Sequence, residues 1–213
     1  MTIAEYFDHT NLDPAASTEA IEQLCREALE YNFFSVCIHP IHVTLAKRLL
    51  QDSPVKVTTV VGFPLGQNLT SVKVFETIQA VADGADEIDM VMNYGALIEG
   101  NYDLVKQDIR AVRQACSEKV LKVILETSQL TDQQIITACE LAELAEADFV
   151  KTSTGFRGDG AKVDQVKLMK TYFHGLVKAS GGIRTYDDWK AMVDAGADRI
   201  GASASVAIVN QAP

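Results

Sequence analysis

Short apolar segments alternate along this chain with longer segments whose apolar residues recur at helical spacing. The short segments are rich in β-branched and aromatic residues, which favours strands. The clearest of them is 55–61, where almost every residue is β-branched. After Ser17, by contrast, the apolar residues from Ile21 to Leu29 fall on one face of a helix. The pattern therefore predicts strands and helices in regular alternation.

Eight strands are predicted in this way. They cover residues 6–9, 33–38, 55–61, 87–92, 121–126, 149–152, 176–179 and 198–201. Helices fill the segments between them, and Thr131 with Gln134 forms the T-x-x-Q pattern of a capping box. In the helix predicted at 70–83, we expect four apolar residues to face inward: Val74, Phe75, Ile78 and Ala82.

This alternation indicates a parallel sheet, and eight repeats within 213 residues indicate a closed (β/α)₈ TIM barrel. No Pro/Ser-rich linker divides the chain, so we expect one domain over residues 1–213. The alternative is an open doubly wound sheet. It is disfavoured because no GxGxxG follows the first strand and because polar residues fall on many strands.

Charge and composition restrict the partners. A net charge of -10 argues against nucleic-acid or anionic-membrane surfaces. No stretch reaches the ~20 apolar residues of a membrane span, and the N-terminus lacks the features of a signal peptide. The four cysteines form no CxxC pair, which is typical of reduced thiols. We expect a cytoplasmic protein.

Charged residues interrupt four successive predicted strands: Asp89, Lys122, Lys151 and Lys178. Lysine is depleted in strands and rarely buried without a partner. Active residues of TIM barrels lie at the C-terminal ends of strands, so these side chains are candidates for chemistry. The alternative is that some lysines point outward and extend past the helices, and this alternative is most open for Lys122.

Two neighbouring lysines, Lys151 and Lys178, can activate each other. A nucleophilic lysine must be neutral, whereas its reference pKa is about 10.4. A second ammonium ~5 Å away opposes protonation by about 3 kcal/mol at an effective dielectric near 20, or roughly two pKa units. This is how a Schiff-base lysine is activated. Asp89 could then transfer protons, while the choice between the two lysines stays open.

Small residues follow the seventh and eighth strands, in Ser180-Gly-Gly-Ile-Arg184 and Gly201-Ala-Ser-Ala-Ser205. TIM barrels commonly bind phosphate at these two loops. We therefore expect the Gly-rich backbone of these two loops to hold a phosphate, with Arg184 or Lys170 adding charge. Simple turns are the alternative. The histidines His9, His39 and His42 match no metal-ligand spacing.

Taken together, these motifs resemble the deoxyribose-phosphate aldolase family over nearly the whole chain. The markers are Ser35-Val-Cys-Ile38, Val61-Gly-Phe-Pro-Leu-Gly66, Glu87-Ile-Asp-Met-Val-Met-Asn93, Leu121-Lys-Val-Ile-Leu-Glu-Thr127, Val150-Lys-Thr-Ser-Thr-Gly-Phe156 and Lys178-Ala-Ser-Gly-Gly-Ile-Arg-Thr185. The resemblance implies a class I aldolase without metal or cofactor. It would reversibly cleave 2-deoxy-D-ribose 5-phosphate to D-glyceraldehyde 3-phosphate and acetaldehyde, and a dimer or tetramer is compatible with it.

The resemblance also implies roles. Lys151 would form the Schiff base, Lys178 would lower its pKa, and Asp89 would donate and accept protons. Lys122 and Thr152 would be further polar residues of the substrate pocket. Backbone and side chains at Gly181, Gly182, Gly201 and Ser203 would hold the phosphate. The main alternative is a sugar-phosphate isomerase or synthase without a covalent intermediate; non-catalytic sugar-phosphate binding would leave the paired lysines unexplained.

The chain departs from the family pattern in its phosphate region. Ala204 stands where a serine is usual, and Lys162 stands where a threonine is usual. The loop 157–160 carries Arg157 and Asp159 where relatives are often rich in glycine and threonine. We expect these departures to affect phosphate affinity and substrate preference rather than the chemistry at Lys151.

Overall fold

The computed structural model describes residues 2–213, and its eight strands form one closed parallel barrel in chain order. The strands are β1 Phe7–Asn11, β2 Ser35–Ile38, β3 Lys56–Val61, β4 Glu87–Val91, β5 Val120–Ile124, β6 Phe149–Lys151, β7 Leu176–Ser180 and β8 Arg199–Ala202. The barrel closes where Phe7 pairs with Ile200 and Asp8 with Gly201. The predicted TIM barrel is confirmed.

Nine helices accompany these strands in the described chain. They are α1 Thr18–Tyr31, α2 Val43–Leu49, α3 Thr70–Ala82, α4 Tyr94–Ile98, α5 Tyr102–Ala115, α6 Asp132–Leu144, α7 Val163–Tyr172, α8 Tyr186–Asp194 and α9 Ser205–Asn210. The capping box at Thr131 is present as predicted. Short α4 was not predicted; the Asn93 side chain caps it by accepting a hydrogen bond from the Ala96 backbone at 3.0 Å.

The inward face of α3 differs from the prediction. Phe75 and Ile78 are 70% and 53% exposed, while Lys73, Thr77 and Ala80 are buried. The reason is electrostatic: the Lys73 ammonium needs a buried partner, and it finds the Asp108 carboxylate of α5 at 2.5 Å. It also donates to the Val91 carbonyl at the end of β4, at 3.0 Å. The predicted inward orientation of Phe75, Ile78 and Ala82 was wrong, because apolar spacing alone does not say which face meets the sheet.

Most of the apolar core lies between the outer face of the barrel and the surrounding helices. A second, small apolar group lies apart from it, with Leu12, Cys37 and Val60 buried and Phe63 packed against them. Leu12 follows β1 and Phe63 follows β3, so this group lies at the C-terminal end of the strands. Buried charge enters the barrel from β1 and from β4 to β8.

Candidate active site

Asp89 is the centre of the charged cluster inside the barrel. Its Oδ1 accepts a hydrogen bond from Lys122 at 2.8 Å, and its Oδ2 accepts from Lys151 and Lys178, each at 2.8 Å. Strand register causes this convergence, since Asp89 pairs with Lys122 and Lys151 pairs with Lys178. The structure therefore brings together all four charged residues that the sequence singled out, and the lysines point inward rather than past the helices.

Beneath this group lie three charged residues that sequence reasoning did not select: Asp8, Glu87 and Arg199. Glu87 contacts the Lys122 ammonium at 2.5 Å, and Arg199 bridges Asp8 at 2.7 Å and Glu87 at 3.3 Å. Asp8 also accepts a hydrogen bond from Lys178. A sequence signal for them was available, since each lies inside an apolar strand segment. Buried lysines require counter-ions, so acidic residues in such segments are candidates for that role.

Burial raises the pKa of the Asp89 carboxyl, but the ammonium groups of Lys122, Lys151 and Lys178 outweigh it and hold that pKa well below its usual value. The Asp8 carboxyl shows the same balance. Burial raises its pKa, but Lys178 and Arg199 outweigh burial and bring that pKa far below the usual range. For Lys178, burial lowers the pKa, but Asp8 and Asp89 raise it overall. Lys178 therefore stays protonated between two carboxylates.

Lys151 differs from the two other lysines of the cluster in its access to solvent. It is 3% exposed and lines a cavity of about 640 Å³ at the C-terminal ends of the strands. Lys122 and Lys178 are completely buried and do not line that cavity. A molecule in the cavity can thus reach the Lys151 amine without displacing any other charged residue of the cluster.

The loop after β7 and the end of β8 with the residue that follows it line the same cavity. Gly181, Gly182, Gly201 and Ser203 line it, together with Arg184. Gly201 is closely packed, since a Cβ there would lie 3.0 Å from the Lys178 Cε and 3.1 Å from the Ser180 Cβ. All four residues predicted to bind phosphate therefore line the cavity that Lys151 lines.

Three other predicted residues lie elsewhere. Lys170 pairs with Asp198 at 2.8 Å at the N-terminal end of the barrel, so the suggestion that it adds charge to the phosphate site was wrong. Thr152 is fully buried and exchanges hydrogen bonds with the backbone of Ser180 at 2.9 and 3.0 Å. Lys122 lies beneath Asp89. Thr152 and Lys122 thus pack next to the site but do not line the cavity.

The loop after β6 contacts the loop after β7, which is one of the two loops predicted to bind phosphate. The Ala161 amide donates to the Gly181 carbonyl at 3.0 Å. Asp159 forms an ion pair with Lys162 at 2.9 Å, and both side chains are more than half exposed. Two of the departures from the family pattern thus neutralise each other at the surface.

The histidines do not converge on a metal site. His9 lies in β1, where it is buried and hydrogen-bonds Glu27 at 2.7 Å. Within residues 2–213 the structure shows no group of three or more side chains able to hold a metal ion. Nor does any helix in this range have the length and apolar character to cross a membrane.

Comparison with known proteins agrees with this geometry. A deoxyribose-phosphate aldolase from Macrococcus caseolyticus is 54% identical over 98% of this chain and 96% of its own length. One from Thermococcus gammatolerans is 54% identical over 100% of this chain and 97% of its own. The tetrameric deoxyribose phosphate aldolase of Aeropyrum pernix superposes with a TM-score of 0.91 at 34% identity, covering 98% of this chain and 89% of its own. The sequence of residues 2–209 matches the model described as DeoC/LacD family aldolase, and the chain belongs to that family.

Proposed function

We propose that this aldolase reversibly cleaves 2-deoxy-D-ribose 5-phosphate to D-glyceraldehyde 3-phosphate and acetaldehyde through a Schiff base on Lys151. The observation that carries this assignment is that Lys151 alone, among the three lysines contacting Asp89, lines the cavity. A covalent nucleophile must meet its substrate, and the two other amines are enclosed by protein atoms.

The amine of Lys151 belongs to a compact cluster of buried charges. Three carboxylates, those of Asp8, Glu87 and Asp89, face four cations. Because Lys151 and Lys178 contact the same carboxylate oxygen at 2.8 Å, their nitrogens lie at most twice that distance apart. Lys178 is therefore a close charged neighbour of the proposed nucleophile.

The reaction follows from this arrangement. The Lys151 amine attacks the C1 aldehyde carbon, and loss of water gives an imine. The Asp89 carboxylate, ionised in the resting enzyme, accepts the proton of the C3 hydroxyl as the C2–C3 bond breaks. The bond electrons move to C2 and the imine becomes an enamine. D-glyceraldehyde 3-phosphate leaves as the C3 aldehyde, and the proton held by Asp89 passes to C2 of the enamine. Hydrolysis of the resulting imine releases acetaldehyde and restores the amine.

The phosphate is proposed to bind against the loops at Gly181–Gly182 and Gly201–Ser203. These loops line the same cavity as Lys151, and Arg184 adds a cation at its edge. Backbone amides of glycine-rich turns suit an anion because no side chain blocks its approach.

Reductive trapping tests the assignment of the nucleophile. Incubation with acetaldehyde and borohydride, followed by peptide mass spectrometry, is expected to place one ethyl group on Lys151. The Lys151→Met variant should take up none there and should lose cleavage activity. An active enzyme without an adduct, or with an adduct on Lys178 alone, would contradict the mechanism and favour a route without a covalent intermediate.

We also infer that the protein assembles as a homo-oligomer in the cytoplasm. The support is a row of exposed apolar residues on and just before α3: Leu69, Val72, Phe75 and Ile78, which are 46–74% exposed. Contiguous apolar surface of this kind commonly marks a protein contact. A second copy of this chain is the proposed occupant, as the Aeropyrum pernix relative is tetrameric. The cytoplasmic location stays a prediction from the sequence.

A further inference from the structure

Glu126 is a buried carboxylate that the mechanism above does not use. It follows β5 and has left-handed backbone angles, φ 57° and ψ 58°, which a side chain other than glycine adopts at a cost. Its side chain is completely buried, and burial raises the pKa of its carboxyl. A strained backbone and a buried acid persist together only where the surrounding structure holds them.

The partner that holds Glu126 is Thr154, three residues after Lys151. The Thr154 hydroxyl donates to Glu126 Oε2 at 2.5 Å, and the Thr154 amide donates to Oε1 at 3.3 Å. Thr154 is 7% exposed and lines the cavity beside Lys151. Glu126 therefore reaches the cavity only through Thr154.

The hydrogen bonds of Thr154 limit what it can offer to a molecule in the cavity. Both of its hydrogens are committed to Glu126, and its hydroxyl oxygen accepts from the Phe156 amide at 3.1 Å. A hydroxyl oxygen has two lone pairs, so one remains. Any group that bonds to this oxygen from the cavity must be a donor, such as a sugar hydroxyl.

We propose that Glu126 is a positioning residue, which fixes Thr154 on the wall beside Lys151 with its oxygen presented as an acceptor for a hydroxyl group of the sugar. This inference rests on the proposed aldol reaction and names a determinant of its specificity. It predicts that Glu126 acts on hydroxylated substrates and not on the Schiff base itself.

Backbone hydrogen bonds hold the chain on both sides of Glu126. The Leu125 amide donates to the Lys151 carbonyl, and the Thr127 amide donates to the Thr152 carbonyl, both at 2.9 Å. These backbone bonds join the end of β5 to β6 on either side of Glu126. The Glu126→Gln variant keeps the size of the side chain and is expected to fold.

The test compares acceptors in the synthesis direction with acetaldehyde as donor. For Glu126→Gln we expect KM for D-glyceraldehyde to rise about tenfold, as for loss of a hydrogen bond to a charged group. We expect KM for propanal, which lacks the hydroxyls, to stay within about twofold. The rate of acetaldehyde trapping on Lys151 should not change. Thr154→Val should reproduce this pattern, whereas Thr154→Ser, which keeps the hydroxyl, should keep the wild-type KM. In the double variant Glu126→Gln with Thr154→Val, KM for D-glyceraldehyde should rise no more than in either single variant.

Glu146→Gln is the matched control, because Glu146 also has a left-handed backbone, φ 63°, but is exposed. It should match the wild type with both acceptors. If Glu126→Gln raised KM equally for propanal and D-glyceraldehyde, or lowered kcat alone, the proposal would be overturned and Glu126 would have only a structural role. Should Glu126→Gln fail to fold, the Thr154→Val and Thr154→Ser pair decides by the same comparison. A wild-type enzyme without any Lys151 adduct would instead refute the Schiff-base function.

Discussion

Lys178 is held between two buried carboxylates, those of Asp8 and Asp89. Replacing it with leucine leaves both acids without one of their cations, and breaking a buried ion pair costs about 3–5 kcal/mol. Lys178→Leu is therefore expected to lower the free energy of unfolding in urea and to lower kcat/KM for deoxyribose 5-phosphate by about a hundredfold or more.

Lys190→Leu is the control, since Lys190 forms an exposed pair with Asp194 at 2.7 Å on α8. Exposed pairs of this kind contribute little to stability, and Lys190 lies away from the charged cluster, so this variant should keep full activity. Wild-type kcat/KM in Lys178→Leu would show that the reaction does not need the second lysine.

The lysines and Asp89 could be found from sequence because a charged residue in an apolar strand is unusual and because strand order brings neighbours together. Their deeper counter-ions could not be assigned in the same way. Asp8 comes from β1 and Arg199 from β8, and they meet only because the barrel closes. The charge within each strand is visible in the sequence, but the pairing of two residues nearly two hundred positions apart leaves no local pattern.

Among the elements, α3 shows where a helical pattern misleads. Its hydrophobic residues are spaced as on a core-facing helix, yet a polar stripe with Lys73 and Thr77 faces the barrel. The spacing establishes that a helix forms and where it ends. It does not distinguish packing on the sheet from an exposed apolar face, and the inward ion pair with Asp108 decides between them.

The Lys73–Asp108 pair makes a prediction for the packing of α3 on α5. Lys73→Met leaves the Asp108 carboxylate buried without its cation and should destabilise the fold by about 3 kcal/mol or more in urea unfolding. The Lys73→Met and Asp108→Leu double variant should recover much of that loss, because no charge is then left buried.

The control here is Lys47→Met. Lys47 pairs with Asp86 at 2.9 Å, but its side chain is 44% exposed, so the change should cost about 1 kcal/mol or less. If Lys73→Met were no more costly than Lys47→Met, the buried pair would not be what orients α3.

For the whole molecule, the proposed assembly through the α3 face can be tested by adding charge to it. Phe75→Glu together with Ile78→Glu should give a folded monomer in sedimentation experiments, because burying two carboxylates in an apolar contact is unfavourable. Leu144→Glu, at a 62% exposed position on α6, should keep the wild-type mass. A monomeric wild type would contradict the assembly.

The meeting of Asp8 with Lys178 and Arg199 also has a consequence for biosynthesis. Asp8, which pairs with Lys178 of β7, is synthesised near the start of translation. Its cations Lys178 and Arg199 leave the ribosome only after most of the chain has been made. A nascent chain that has completed only six strands already contains Lys151 but has neither Lys178 nor the Arg199 that fixes Asp8. The amine proposed as the nucleophile thus acquires its full electrostatic environment only when the last strand closes the barrel.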